Sequence, residues 1–252
     1  MPMKRVRVDK RRQAIVALDE DEAAEKCAQL FVEEAQRAIA AKSSFSVALA
    51  GGSTPAAVYR KLQEPSFALS VNWQFVNLFW GDERAVPPDS PESNFHMAQE
   101  YFSVPPLNQA KTHRMMGEAV DLDSAARDYE NLIKRTCPGG KLDLILLGIG
   151  DDGHTASLFP ETKALHEEKR LVVANQVPQK ECTRLTVTFP CIDLASKVIV
   201  FALGRSKAKV VKKILRGDFT PDLIPAQRLG TEETPALYIL DKRAAYGSGL
   251  SG

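Results

Sequence analysis

Charge of one sign is what this chain lacks: 33 Lys and Arg against 32 Asp and Glu leave a formal net charge of +1. No overall field therefore draws in nucleic acid or anionic lipid, and any anion must be held by local groups. Cysteine is scarce, with Cys27, Cys137, Cys182 and Cys191 in 252 residues and no C-x-x-C pair. That excludes a disulfide framework, so reduced thiols are expected. No apolar run approaches the ~18–20 residues of a membrane span. The opening MPMKRVRVDKRRQ has the charge of a signal peptide's first region without an apolar stretch behind it. A cytoplasmic protein with neither a membrane nor a nucleic-acid partner is expected. The basic residues 1–12, which have no aromatic among them, read as a solvated arm or an edge strand.

Several chemistries are missing as well. There is no G-x-S-x-G elbow of a serine hydrolase and no H-E-x-x-H; the nearest string, His166-Glu167-Glu168, lacks the second histidine. Asp151, Asp152 and His154 are an incomplete ligand set on one short turn, so no metal is expected. No internal repeat, low-complexity tract or linker divides the chain.

What is present is ordinary globular composition, 44% hydrophobic and 26% charged. A single α/β domain can reach about 250 residues, so residues 1–252 are expected to form one domain. The GSGLSG ending, 247–252, reads as a flexible tail. Periodicity predicts strands at 13–18, 44–50, 73–80, 142–148, 171–177, 184–189, 197–203 and 236–240, and helices over 19–41, 53–62, 94–101, 124–136 and 206–216. LDLILLG at 142–148 is nearly all apolar, as a central strand covered on both faces must be. Alternating strands and helices predict an α/β fold: a three-layer αβα, mainly parallel, Rossmann-like sheet with helices on both faces.

In such sheets ligands bind beyond the carboxyl ends of the strands. Gly51-Gly52-Ser53-Thr54 joins a strand to a helix and offers backbone N–H groups, two hydroxyls and a helix N-terminus, which suits a phosphate; a tight turn with an N-cap is the plainer alternative. Gly81-Asp82-Glu83-Arg84 follows another strand. Its arginine can hold an anion through paired hydrogen bonds, positioned by Asp82 and Glu83, or the three charges can be a surface cluster. Gly204-Arg205-Ser206-Lys207 again opens a helix, and its lysine can reach a phosphate held by backbone groups.

The segment Gly148-Ile149-Gly150-Asp151-Asp152-Gly153-His154-Thr155 fits G-x-G-x-x-G, but two carboxylates inside the turn would repel a pyrophosphate. What it delivers instead is Asp152 and His154 at the same end of the sheet. A carboxylate beside a histidine can fix its tautomer and stabilise the imidazolium, the simplest general-base arrangement. His96, His113 and His166 have no such surroundings and read as surface or structural.

These strings taken together (ALAGGSTPAAVYRKL, FWGDERAVPPDSPESNF, LDLILLGIGDDGHTASLFP, RLTVTFPCI and LGRSKAKVVKKIL) resemble the 6-phosphogluconolactonases, of the superfamily that also contains glucosamine-6-phosphate isomerase/deaminase. The resemblance spans nearly the whole chain. It implies hydrolysis of 6-phospho-D-glucono-1,5-lactone in the oxidative pentose phosphate pathway, without a cofactor. Deaminases of the superfamily tend to carry a glutamate in the string after the histidine and M-D-E-Y in place of Gly81-Asp82-Glu83-Arg84; Thr155 to Pro160 has no glutamate. The alternatives left are a deaminase/isomerase-like enzyme and a non-catalytic sugar-phosphate sensor.

The expected site therefore has His154, Asp152 and Arg84 as catalytic residues. Gly51, Gly52, Ser53, Thr54, Lys207 and Arg184 contact the phosphate or the rest of the substrate, with Asp82, Glu83 and Asp151 in support. Arg184 matches an arginine of the family's T-hydrophobic-T strand; anion contact and a strand-end salt bridge are equal readings of it. The expected partner is a phosphorylated sugar lactone, bound by a monomer, with a weak dimer as the alternative.

Overall fold

Asp19 starts the first long helix by accepting the N–H of Glu22 at 2.9 Å, and Ser43, in the left-handed conformation, ends it with its N–H on Ile39 O. Between them lies α1 (Glu20–Lys42), acidic in its first turn as the helix dipole prefers. The computed structural model to which it belongs describes residues 5–250. The helix is preceded by β1 (Arg5–Arg7) and β2 (Arg12–Ala17) and followed by β3 (Phe45–Leu49), α2 (Ser53–Leu62), α3 (Pro65–Ala68), β4 (Val76–Trp80), β5 (Asp82–Arg84), α4 (Asn94–Phe102), β6 (Lys111–Thr112), α5 (Leu122–Thr136) and β7 (Leu144–Gly148). The chain continues through β8 (Val172–Val177), β9 (Cys182–Val187), α6 (Phe189–Leu194), β10 (Val198–Ala202), α7 (Ala208–Arg216) and β11 (Ala236–Asp241).

Eight strands form the main sheet in the order β1-β2-β11-β10-β7-β3-β4-β6, parallel throughout except for β1, which runs antiparallel along the edge of β2. The basic arm is thus an edge strand over Arg5–Arg7, and its first four residues lie outside the described ones. Alternate strand residues feed two cores. Val47, Leu49, Leu144, Leu146 and Ile199 pack under α1, α2 and α4, while Ala48, Ile145, Leu147, Val198 and Val200 pack under α5, α6 and α7. This is the expected α/β sheet covered on both faces.

From β3 the chain crosses to β4 on one side, and from β7 it proceeds to β10 on the other. The order therefore reverses between β3 and β7, and a crevice opens at the carboxyl ends of those two strands.

Four departures from the sequence reading matter. The strands expected at 171–177 and 184–189 do not join the parallel sheet; β8 and β9 form a separate antiparallel sheet with β5. Only Pro178 to Glu181 separate Val177 from its register partner Cys182, too few residues for a crossover, so the pair can only be a hairpin. The segment after Trp80, read as a charged turn end following a strand, contains a strand of its own, β5. Gly81 changes sheets there, its N–H on Leu49 O at 2.8 Å and its carbonyl accepting from Val187 N at 2.8 Å. Phe189 belongs to a helix, because Thr188 caps α6 and Pro190 sits in its first turn. In the stretch read as a flexible tail, Ser248 is buried and its carbonyl accepts from Arg216 Nε at 3.0 Å.

Candidate active site

The first turn of α2 has no side chain capping it: Gly52 stands at the N-cap, and no acid lies in that turn. The N-termini of α1, α4 and α5 are filled by Asp19, Ser93 and Asp121. That of α2 is left open to an outside anion. Gly51 is required beside it, since a Cβ there would lie 1.8 Å from Asn94 Oδ1.

Across the crevice, the turn after β7 carries His154. Its Nδ1 lies 2.5 Å from Asp152 Oδ1, which also accepts the His154 backbone N–H at 3.1 Å. The ring stacks on Phe159, centroids 4.0 Å apart at 20°. Gly150 makes this arrangement fit, because a Cβ would stand 2.0 Å from His154 Nδ1 and 2.7 Å from Asp152 Oδ1. The turn is pinned by Thr155 Oγ1 donating to Gly148 O at 2.9 Å and by Ala226 N donating to Gly153 O at 2.9 Å. Burial acts to raise the Asp152 carboxyl, but the hydrogen bonds and charge of His154 outweigh it and hold the group below its ordinary value.

These elements border one cleft of about 290 Å³, lined by Gly51, Gly52, Ser53, Thr54, Asp82, Arg84, Asn94, His154, Arg184 and Lys207 among others. Arg84 and Arg184 are register partners on β5 and β9, so both side chains stand on one face of that ribbon. Each Nε is buried without a hydrogen-bond partner. Arg84 Nη1 donates to Glu92 O, and Arg184 Cζ lies 5.4 Å over the Phe159 ring. The strand-end salt bridge considered for Arg184 is absent among the described residues, and the residue is mid-strand.

The supporting acids sit elsewhere than expected. Neither Asp82 nor Glu83 touches the Arg84 guanidinium. Asp82, buried, accepts from Ser157 Oγ at 2.7 Å and from Asn94 Nδ2 at 3.1 Å, tying the turn that follows His154 to α4. Glu83, also buried, accepts from the backbone N–H of Arg84, Asn94 and Phe95 at 2.7–2.8 Å and from Ser93 Oγ at 2.9 Å. Its carboxylate thus serves the N-terminus of α4. Burial pushes its carboxyl up, with those four hydrogen bonds acting against the rise. Asp151 is exposed and pairs with Lys207 at 2.7 Å.

Asn94, Ser157 and Phe159 were not singled out from the sequence. All three lie inside strings that carried the resemblance, but their roles depend on contacts between distant segments. His113 is structural, stacked on Phe79 and hydrogen-bonded to Asn77 at 3.0 Å; burial first, and then Lys111, lower its pKa. Among the described residues no group of three or more His, Cys, Asp or Glu is placed to hold a metal ion. No helix there is long and apolar enough to cross a membrane.

The sequence family described as glucosamine-6-phosphate isomerases/6-phosphogluconolactonase matches residues 18–238. The chain belongs to this family. Among curated relatives, a 6-phosphogluconolactonase of Chlamydia pneumoniae is 36% identical over 218 residues, covering 83% of this chain and 80% of the relative. One from a Synechocystis species is 37% identical over 215 residues, covering 82% and 86%. The solved structure of 6-phosphogluconolactonase from Trypanosoma brucei superposes with a TM-score of 0.78 at 27% identity, covering 96% of this chain and 98% of that one. The family match thus spans the fold from α1 into β11 and includes the cleft at the β3/β7 crossover.

Proposed function

We propose that the protein hydrolyses 6-phospho-D-glucono-1,5-lactone to 6-phospho-D-gluconate, acting in the oxidative pentose phosphate pathway. The observation that carries this is the placing of two separate cationic features around one imidazole: the uncapped start of α2 with Lys207, and the arginine pair. The substrate has one permanent anion, its phosphate, and hydrolysis creates a second at C1. A cleft with two anion sites suits that change.

The phosphate lies on Gly51 to Thr54 and Lys207, and binding there orients the reacting end. Nδ1–H of His154 donates to Asp152, which leaves Nε2 to take a proton from water as its oxygen attacks C1. Arg84 and Arg184 face the oxyanion that forms. The C1–ring oxygen bond then breaks, the imidazolium gives its proton to that oxygen, and the new acid ionises to solvent. Water is the only co-reactant, so no cofactor is needed. The enzyme is read as a cytoplasmic monomer with phosphorylated sugar lactone as its partner; three of its four free cysteines are buried, in keeping with a reducing compartment.

The deaminase alternative lacks an acid where it needs one, as Glu161, the first after His154, lines a different cavity. The test is a coupled assay on freshly generated lactone, corrected for spontaneous opening, beside an ammonia assay on glucosamine 6-phosphate. A rate above background in the first and none in the second is expected; the reverse assigns the protein to deamination.

A further inference from the structure

The three cations of the cleft are held in two ways. Arg84 and Arg184 have no carboxylate within ion-pair distance among the described residues, whereas Lys207 Nζ sits 2.7 Å from Asp151 Oδ1. Asp151 belongs to the turn that carries His154, and Lys207 to the turn after β10, so this contact bridges two walls of the cleft. The two partners are unequally placed: the Asp151 side chain is 76% exposed and that of Lys207 21%. Water can take over the carboxylate at little cost, while the ammonium stays at the cleft wall. An exposed pair of this kind is weak and screened by salt. A phosphate dianion on the open end of α2 offers Lys207 more charge and more acceptor oxygens than Asp151 does.

We infer that Asp151 limits the affinity of the phosphate site: it occupies Lys207 in the free protein and is displaced by the phosphate of the ligand. The lysine is then released only to an anion stronger than a lone carboxylate. Asp151 thereby weakens the binding of every anion that must take Lys207 from it. This inference rests on the proposed phosphate role of Lys207.

The stable product 6-phosphogluconate is the probe, with calorimetric titration of the wild type, Asp151→Asn, Lys207→Ala and the double variant at low salt. Asp151→Asn should tighten binding about three- to tenfold, the effect of removing one charge near a dianion in a partly solvated site. Asp151→Glu, which keeps the charge, should remain within about twofold of the wild type. In the Lys207→Ala background the gain from Asp151→Asn should fall below about twofold, since its target is gone. Unchanged or weaker binding by Asp151→Asn overturns the inference, as does an equal gain with and without Lys207. If Lys207→Ala alone binds as tightly as the wild type, the phosphate role of the lysine falls and this inference with it. Loss of affinity in Lys207→Ala with no effect of Asp151→Asn sinks the inference alone.

Discussion

Arg84 and Arg184 stand directly opposite each other in the β5–β9 ladder, two guanidinium-bearing side chains on one face with no acid paired to either among the described residues. Like charges directly opposite each other destabilise a ladder. The pairing itself adds no stability, and an anion between the two relieves the repulsion.

Replacing Arg184 by Met should therefore separate stability from activity. The melting temperature should be unchanged or raised, while kcat/KM on the lactone falls at least tenfold. A variant that melts lower and turns over normally would make Arg184 a structural residue.

Gly150→Ala tests the turn. Its new methyl would collide with His154 Nδ1, 2.0 Å away, and displace the ring from Asp152. A fall in kcat of about 100-fold, with affinity for 6-phosphogluconate within about threefold of the wild type, is expected if general-base catalysis worth 10²–10⁴ is lost. Normal kcat would mean that the ring position is not critical.

Glu83→Ala should act through the fold. It strips a buried acceptor from the backbone N–H of Arg84 on β5 and from two backbone N–H groups and one hydroxyl at the start of α4. Buried donors left unmade cost about 1–3 kcal/mol each, so urea denaturation should show a loss of at least about 3 kcal/mol. The KM should rise as well, because Asn94 supports Gly51. A loss under about 1 kcal/mol would contradict the assignment.

The Asp152 carboxyl is held below its ordinary value, so it binds fewer protons folded than unfolded as the pH drops. Its stabilising contribution is therefore full above the usual carboxylate value near about 4 and is lost as pH falls through the lower folded value. Thermal melts of the wild type and Asp152→Asn should differ by a constant amount from pH 7 to 5 and converge towards pH 3. A gap that widens on acidification has the wrong sign for this account.

The site was legible in the sequence wherever one turn carries the chemistry. Gly150, Asp152 and His154 lie within a few residues of one another after an unmistakable buried strand, and Gly51 to Thr54 announce a strand-to-helix turn, though not that Gly52 rather than a serine or threonine stands at its N-cap. The second sheet was less legible. β5 has three residues, and its burial comes from pairing with β9, about 100 positions away, which no local period records. Asp82 and Glu83 were read as neighbours of Arg84 because they adjoin it in the chain. In a strand, successive side chains point to opposite faces, so Glu83 turns away from Arg84 to α4, while Asp82 shares the face of Arg84 but is held by Ser157 and Asn94. Asn94 showed only as the start of a helix, since nothing local says that Gly51 rests against it.

The central claim is that the imidazole of His154 activates water while other groups hold the substrate. Its most direct test is single-turnover hydrolysis of the lactone by His154→Asn, together with the variant's affinity for 6-phosphogluconate. The account predicts a rate lower by about 10²–10⁴ with affinity within about threefold of the wild type. Hydrolysis near the wild-type rate by that variant would contradict it.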